Sequence, residues 1–221
     1  MPTIYSGTND GWAACGIISG WASARSHGGT LVDSNNSSDA KTVISFKGFG
    51  TSFGLRRAFF QFDTSGISEA PSEASINIYG YSQGSADIIL VRGTQGSPLA
   101  AGDFNSLHNC STELGNSDGS GAGTLAGVSG LTYSSEVPTW STSGYNEIAL
   151  NATALSDIAS LDTFKVCMMQ YDNDYLDIAA TSMVRTGNYW ADQSGTSKDP
   201  YLDYTAAVTA TDNSVFFGCN F

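Results

Sequence analysis

The chain has 221 residues, with 9 Lys or Arg against 21 Asp or Glu, and a net charge of −12. That length suits one large domain with a sizeable core, and so acidic a surface repels phosphates, which argues against nucleic acid or an anionic membrane as partner. Charged residues are only 14% of the chain and Gly numbers 25, a composition of many turns and weakly charged strands with no apolar run near the roughly 20 residues that span a bilayer.

In chain order, residues 2–5 read as a short first strand. Residues 11–21 follow neither a helix nor a strand period, and Gly, Ser and Ala between Trp12, Cys15, Ile17 and Trp21 suit strands in close backbone approach. Residues 27–39 (HGGTLVDSNNSSD) are loop-rich, and 41–49 read as a strand. The organising stretch is 55–83. In its first half Ala58, Phe60 and Phe62 share a face, with Arg57, Phe59 and Gln61 opposite; in its second half Ala74, Ile76, Ile78 and Gly80 alternate with Ser75, Asn77, Tyr79 and Tyr81. Such alternation marks strands with one face on a core and the other on water or a polar partner. Asp63 to Gly66 and Pro71 break the pattern between the two strands.

Beyond this pair, 86–92 contain DIILV, an apolar run expected to be buried on both faces. Phe104 and Leu107 predict a short helical turn over 101–107, and 115–130 (GNSDGSGAGTLAGVSG) form a glycine-rich loop. Residues 145–150 read as a strand, and Asn151 as the N-cap of a helix carrying Leu155 and Ile158 on one face. FKVCMMQY, 164–171, is a second major core strand. Asp172, Asn173 and Asp174 then turn toward LDIAA in an expected hairpin, and strands at 188–193 and 201–205 close the domain. Many closely spaced strands with one or two short helices predict an all-β fold, an antiparallel two-sheet β-sandwich of jelly-roll type over residues 1–205. Its core is expected to unite Phe60, Phe62, Ile76, Ile78, Ile88, Leu90, Val166 and Met168.

RAFFQFDTSGI followed by ASINIYGY, and NYWADQSGTSKDPYLDYT near the end, resemble the strand motifs of the DNRLRE-type, carbohydrate-binding-module-like β-sandwiches over roughly residues 40–205. The opening MPTIYS is similar to the start of small β-rich virion proteins of tailed phages that reuse such a sandwich. The resemblance carries no catalytic signature.

The residues that could carry chemistry are few. GSGAGTLAG (119–127) sits in no strand–helix unit and lacks a following Lys, so it is no phosphate loop. His108 and Cys110 are near in sequence but no nucleophile elbow accompanies them. Asp172, Asp174 and Asp177 offer hard oxygens at a spacing that suits a structural calcium, against the alternative of a solvated acidic turn; Asp33, Asn35, Asn36 and Asp39 are a weaker cluster, and no other cofactor is expected. Trp12, Trp21, Trp140, Trp190 and the ten tyrosines could stack on a glycan or pack in the core or an interface, and Tyr79 and Tyr81, on the polar face of their strand, are the best candidates for exposed aromatics. Cys15, Cys110, Cys167 and Cys219 match no metal spacing; their even number permits two disulfides, but synthesis in a cytoplasm favours free, mostly buried thiols.

Residues 206–221 (AAVTATDNSVFFGCNF) form an apolar tail whose Phe216, Phe217 and Phe221 either fold back or make an assembly contact. The opening MPTIYSGTNDGW has no signal-peptide pattern, so the expectation is synthesis in a host cytoplasm and residence in a virion. The sequence therefore reads as a non-enzymatic structural protein of a tailed phage, in a capsid decoration or tail appendage. Its expected partners are other virion proteins and copies of itself. The alternative is a carbohydrate-binding module for surface glycans.

Overall fold

The computed structural model describes residues 2–110, 124–191 and 194–207. Its strands are β1 (Thr3–Tyr5), β2 (Gly11–Ala14), β3 (Ile18–Ser19), β4 (Leu31–Asp33), β5 (Ser38–Lys47), β6 (Ser52–Asp63), β7 (Glu73–Gly84), β8 (Ile88–Arg92), β9 (Tyr145–Ala149), β10 (Thr163–Gln170), β11 (Val184–Tyr189) and β12 (Tyr201–Thr205). Two helices accompany them, α1 (Trp21–Ser26) and α2 (Ala152–Ser160). None of the described helices is long and apolar enough to cross a membrane.

β6 and β7, the pair expected between 55 and 83, are the longest strands at 12 residues each, and the others gather on them. β6 pairs with β5 through its first half, with β10 through its second, and with β2 and β3 on its other edge. β10 continues to β8. β7 pairs with β12 at Glu73–Asn77 and with β11 at Gly80 and Gly84, while β9 lies along its opposite edge. β11 returns to β5, and β1 borders β12; every pairing is antiparallel. The connected strands fold into two layers around a first core.

That core holds all eight residues expected to meet in it: Phe60 and Phe62 of β6, Ile88 and Leu90 of β8, Val166 and Met168 of β10, and Ile76 and Ile78 of β7. Trp190 packs on Phe60 with ring centroids 5.2 Å apart. Asn151 caps α2 by accepting a hydrogen bond from Ala154 N at 3.1 Å, and Ile158 points into the same core.

The far side of β6 departs from the sequence expectation. Phe59 meets neither water nor a polar partner but is fully buried in a second core with Ile89, Val91, Cys167 and Met169, and Arg57, equally buried, meets its polar partner Asp174 away from water. The uninterrupted apolar run of β8 follows from this, because its two faces line two cores. The cover over the second core is α1, which the residue pattern did not reveal, the turn at Ala101–Asn105 with Phe104, and the turn at Tyr171–Tyr175. The hairpin expected after Asp174 does not form: the chain makes that wide turn and reaches β11 only at Val184. Residues 115–123 of the glycine-rich loop, Cys219 and the tail phenylalanines lie outside the described residues.

Candidate functional site: a tyrosine-lined face

The side chains of β7 that point away from the first core include Tyr79 and Tyr81, and strand pairing brings four more tyrosines to them. Tyr5 of β1 meets Tyr201 of β12 with ring centroids 6.0 Å apart, Tyr201 meets Tyr145 of β9 at 4.9 Å, and Tyr145 meets Tyr79 at 5.1 Å. Tyr189 of β11 continues the row, 5.6 Å from Tyr79 and 5.1 Å from Tyr81. Every contact is edge-to-face, the arrangement that the ring quadrupole favours. Tyr5 and Tyr81 at the two ends are exposed, and the four rings between them are half-buried.

The backbone fixes this direction. Gly80, between the two β7 tyrosines, has no room for a Cβ, which would strike the Ser141 carbonyl. The segment carrying Trp140 packs there from the core side, with the indole N–H donating to the Gly187 carbonyl at 3.0 Å. Tyr79 and Tyr81 are thus held outward by a close backbone approach beneath them. Two hydroxyls are tethered: Tyr79 donates to the Ser143 carbonyl at 2.9 Å and Tyr145 to the Asp199 carbonyl at 3.2 Å. Lys198 places its ammonium 4.2 Å from the Tyr189 ring centre and 5.3 Å from that of Tyr79, within cation–π range.

The same face turns acidic toward the start of β7. Glu73, Ser75, Glu147, Ala149 and Asp203 line a shallow cleft of about 290 Å³ beside α2. Burial, then the neighbouring Tyr201 ring, pushes the Tyr145 hydroxyl up to about 12. Burial, then the charges of Asp203 and Glu147, raises that of Tyr201. At neutral pH Tyr145 and Tyr201 therefore keep their hydroxyl protons, and the row offers ring faces for stacking, hydroxyls for hydrogen bonds and carboxylates along one side.

The other sequence candidates fall elsewhere. Asp172, Asp174 and Asp177 do not form a ligand set. Asp174 is fully buried under the second core, where Arg57 grips its carboxylate through Nε at 2.6 Å and Nη2 at 2.7 Å. Arg25 of α1 donates to the Asp174 carbonyl, and its Nη1 lies 2.8 Å from Asp177 Oδ1, which also accepts from the Trp21 indole at 2.9 Å. Asp172 is exposed and apart. Two arginines thus neutralise the oxygens that a cation would need, and no cluster of His, Cys, Asp or Glu suited to a metal occurs among the described residues. Burial would raise the Asp174 carboxyl, but the Arg57 and Arg25 charges outweigh it and hold it below the usual carboxylate range.

Asp33 and Asp39 serve local structure, Asp39 accepting from the Trp12 indole at 2.9 Å and from Arg56 at 3.2 Å. The Cys110 thiol donates to the backbone carbonyl of His108 at 3.1 Å, so this pair lacks the thiol–imidazole bond of an activated nucleophile. Cys15 and Cys167 are buried, and burial raises both thiols.

Tyr5, Tyr145, Tyr189 and Tyr201 are not singled out among the ten tyrosines by the sequence, although their alternating positions within strands were a usable signal; Lys198, in the bend before β12, carries no such signal. Which strands lie side by side was not legible. No family model matches the chain, and comparison with curated proteins gives no match either.

Proposed function

We propose that the chain is a non-enzymatic contact protein of a tailed-phage particle, built into a capsid decoration or a tail appendage, and that the tyrosine face is its working surface. The observation carrying this reading is the row of six rings, Tyr5, Tyr201, Tyr145, Tyr79, Tyr189 and Tyr81, laid across one sheet face outside both cores. Tyrosine is enriched in recognition surfaces because it gives a large rigid contact at low entropic cost and keeps a polar tip. Mass spectrometry of purified particles tests the assignment. A fixed copy number relative to the major capsid protein supports it, and loss of the chain on gradient purification overturns it.

A second reading, recognition of a surface glycan, is favoured by the acidic cleft that continues the ring row. Pyranose rings stack on aromatic faces, and Glu147 and Asp203 would accept hydrogen bonds from sugar hydroxyls. Binding on a glycan array that disappears in the Tyr79→Ala/Tyr189→Ala variant supports it; no binding to any glycan removes it.

A further inference from the structure

We propose that the cleft between β2, β4 and β5 receives the 208–221 segment of a second copy of this chain. The cleft has a volume of about 270 Å³ and is lined by Ile17, Leu31, Ile44, Phe46 and Met183, with Lys41 and Arg56 at its side. Ile17 is 71% exposed, Leu31 50% and Met183 49%, so three large apolar side chains stand uncovered around one depression. Leu31 belongs to β4, which among the named strands pairs only with β2, so its outer edge offers free backbone donors and acceptors. An apolar cleft beside a free strand edge is the arrangement that accepts an added strand, with main-chain bonds giving affinity and the cleft selecting side chains.

The occupant's chemistry matches. VTATDNSVFFGCNF contains no Lys or Arg, carries Asp212, and concentrates Val215, Phe216, Phe217 and Phe221 near one end. Valine and phenylalanine favour the extended backbone that an added strand needs. Lys41 stands at the side of the cleft and no carboxylate lines it, which favours a segment without positive charge; Arg56 beside it is paired with Asp39.

Reach favours a neighbour over the chain's own cleft. The tail departs after Thr205, which pairs with Glu73 at the start of β7. The cleft lies toward the other end: Ile44 pairs with Arg185, one residue past Thr186, which pairs with Gly84 at the end of β7. Twelve strand residues span roughly 36–40 Å at about 3.3 Å each, before the lateral crossing to β5 is added. From Thr205 to Phe216 the chain covers at most roughly 36–40 Å when fully extended. The chain's own Phe216 falls short once the lateral crossing is added, and a tail from an adjacent copy has no such constraint. This contact does not depend on the tyrosine face.

Light scattering after size-exclusion chromatography of the full chain, over a wide concentration range, tests the proposal. The parent should self-associate. A Leu31→Glu/Met183→Glu variant and a Phe216→Asp/Phe217→Asp variant should each associate about ten-fold or more weakly. Both should keep the parent's circular dichroism spectrum, and the substituted cleft positions Leu31 and Met183 are exposed. Mixing the two variants should restore association, because one supplies an intact tail and the other an intact cleft. A parent that stays monomeric throughout, association that either variant leaves unchanged, or a mixture that fails to recover would overturn the proposal.

Discussion

At the scale of single residues, the sharpest contrast is between Arg57 and its strand neighbours. From sequence, Arg57 shared a face with Phe59 and Gln61 and was assigned to water or a polar partner. The partner exists, but Arg57 and Asp174 are 117 positions apart and fully buried. Nothing in the local pattern of β6 or of the 171–175 turn signals that pairing, because a buried ion pair is specified by tertiary approach. Removing one partner of such a pair leaves an uncompensated charge, so Asp174→Asn should cost about 3–5 kcal/mol in denaturant unfolding. The group also sets a pH dependence. Its folded pKa lies below the unfolded value, so its contribution is complete above the ordinary carboxylate range and is lost as pH falls through that range and below. Asp174→Asn should therefore flatten the acid limb of the stability profile below about pH 4, and an unchanged limb would count against the pair.

Tyr145 has the opposite sign. Its raised hydroxyl makes the folded chain hold a proton that the unfolded chain releases, so its contribution is present below pH about 10 and is lost between there and about 12. A spectrophotometric alkaline titration should show a late tyrosine class that shrinks in Tyr145→Phe.

At the scale of elements, the strands with strict alternation or unbroken apolar runs were legible: β6, β7, β8 and β10 all stand where the pattern put them. α2 was legible too, since Asn151 is a good cap; Asn151→Ala should cost about 1 kcal/mol. α1 was not, because six residues with a Gly cap and no capping side chain carry too little periodic signal. The second core was signalled only by the unbroken apolar run of β8, and β6 gave no sign of it. Alternation reveals that a strand has two faces, and it leaves open whether loops cover the second one. Phe60 and Phe59 separate the cases: each →Ala variant should lose about 3–5 kcal/mol, since both rings are completely buried. A near-neutral Phe59→Ala would mean that the loop cover is not packed in solution.

At the scale of the whole molecule, one layer lies between two cores and the other presents the tyrosine row to solvent. Two of its rings were singled out from sequence, and register supplied the other four. Both substitutions in Tyr79→Ser/Tyr189→Ser fall outside the cores, so the double variant should fold with a thermal midpoint within a few degrees of the parent. The most direct measurement is the affinity of parent and double variant for immobilised particles assembled without this chain, made beside a Phe216→Asp/Phe217→Asp control. If the tyrosine face is the working surface, the double variant binds about ten-fold or more weakly while its fold is intact. Equal binding by the parent and a folded double variant would contradict it.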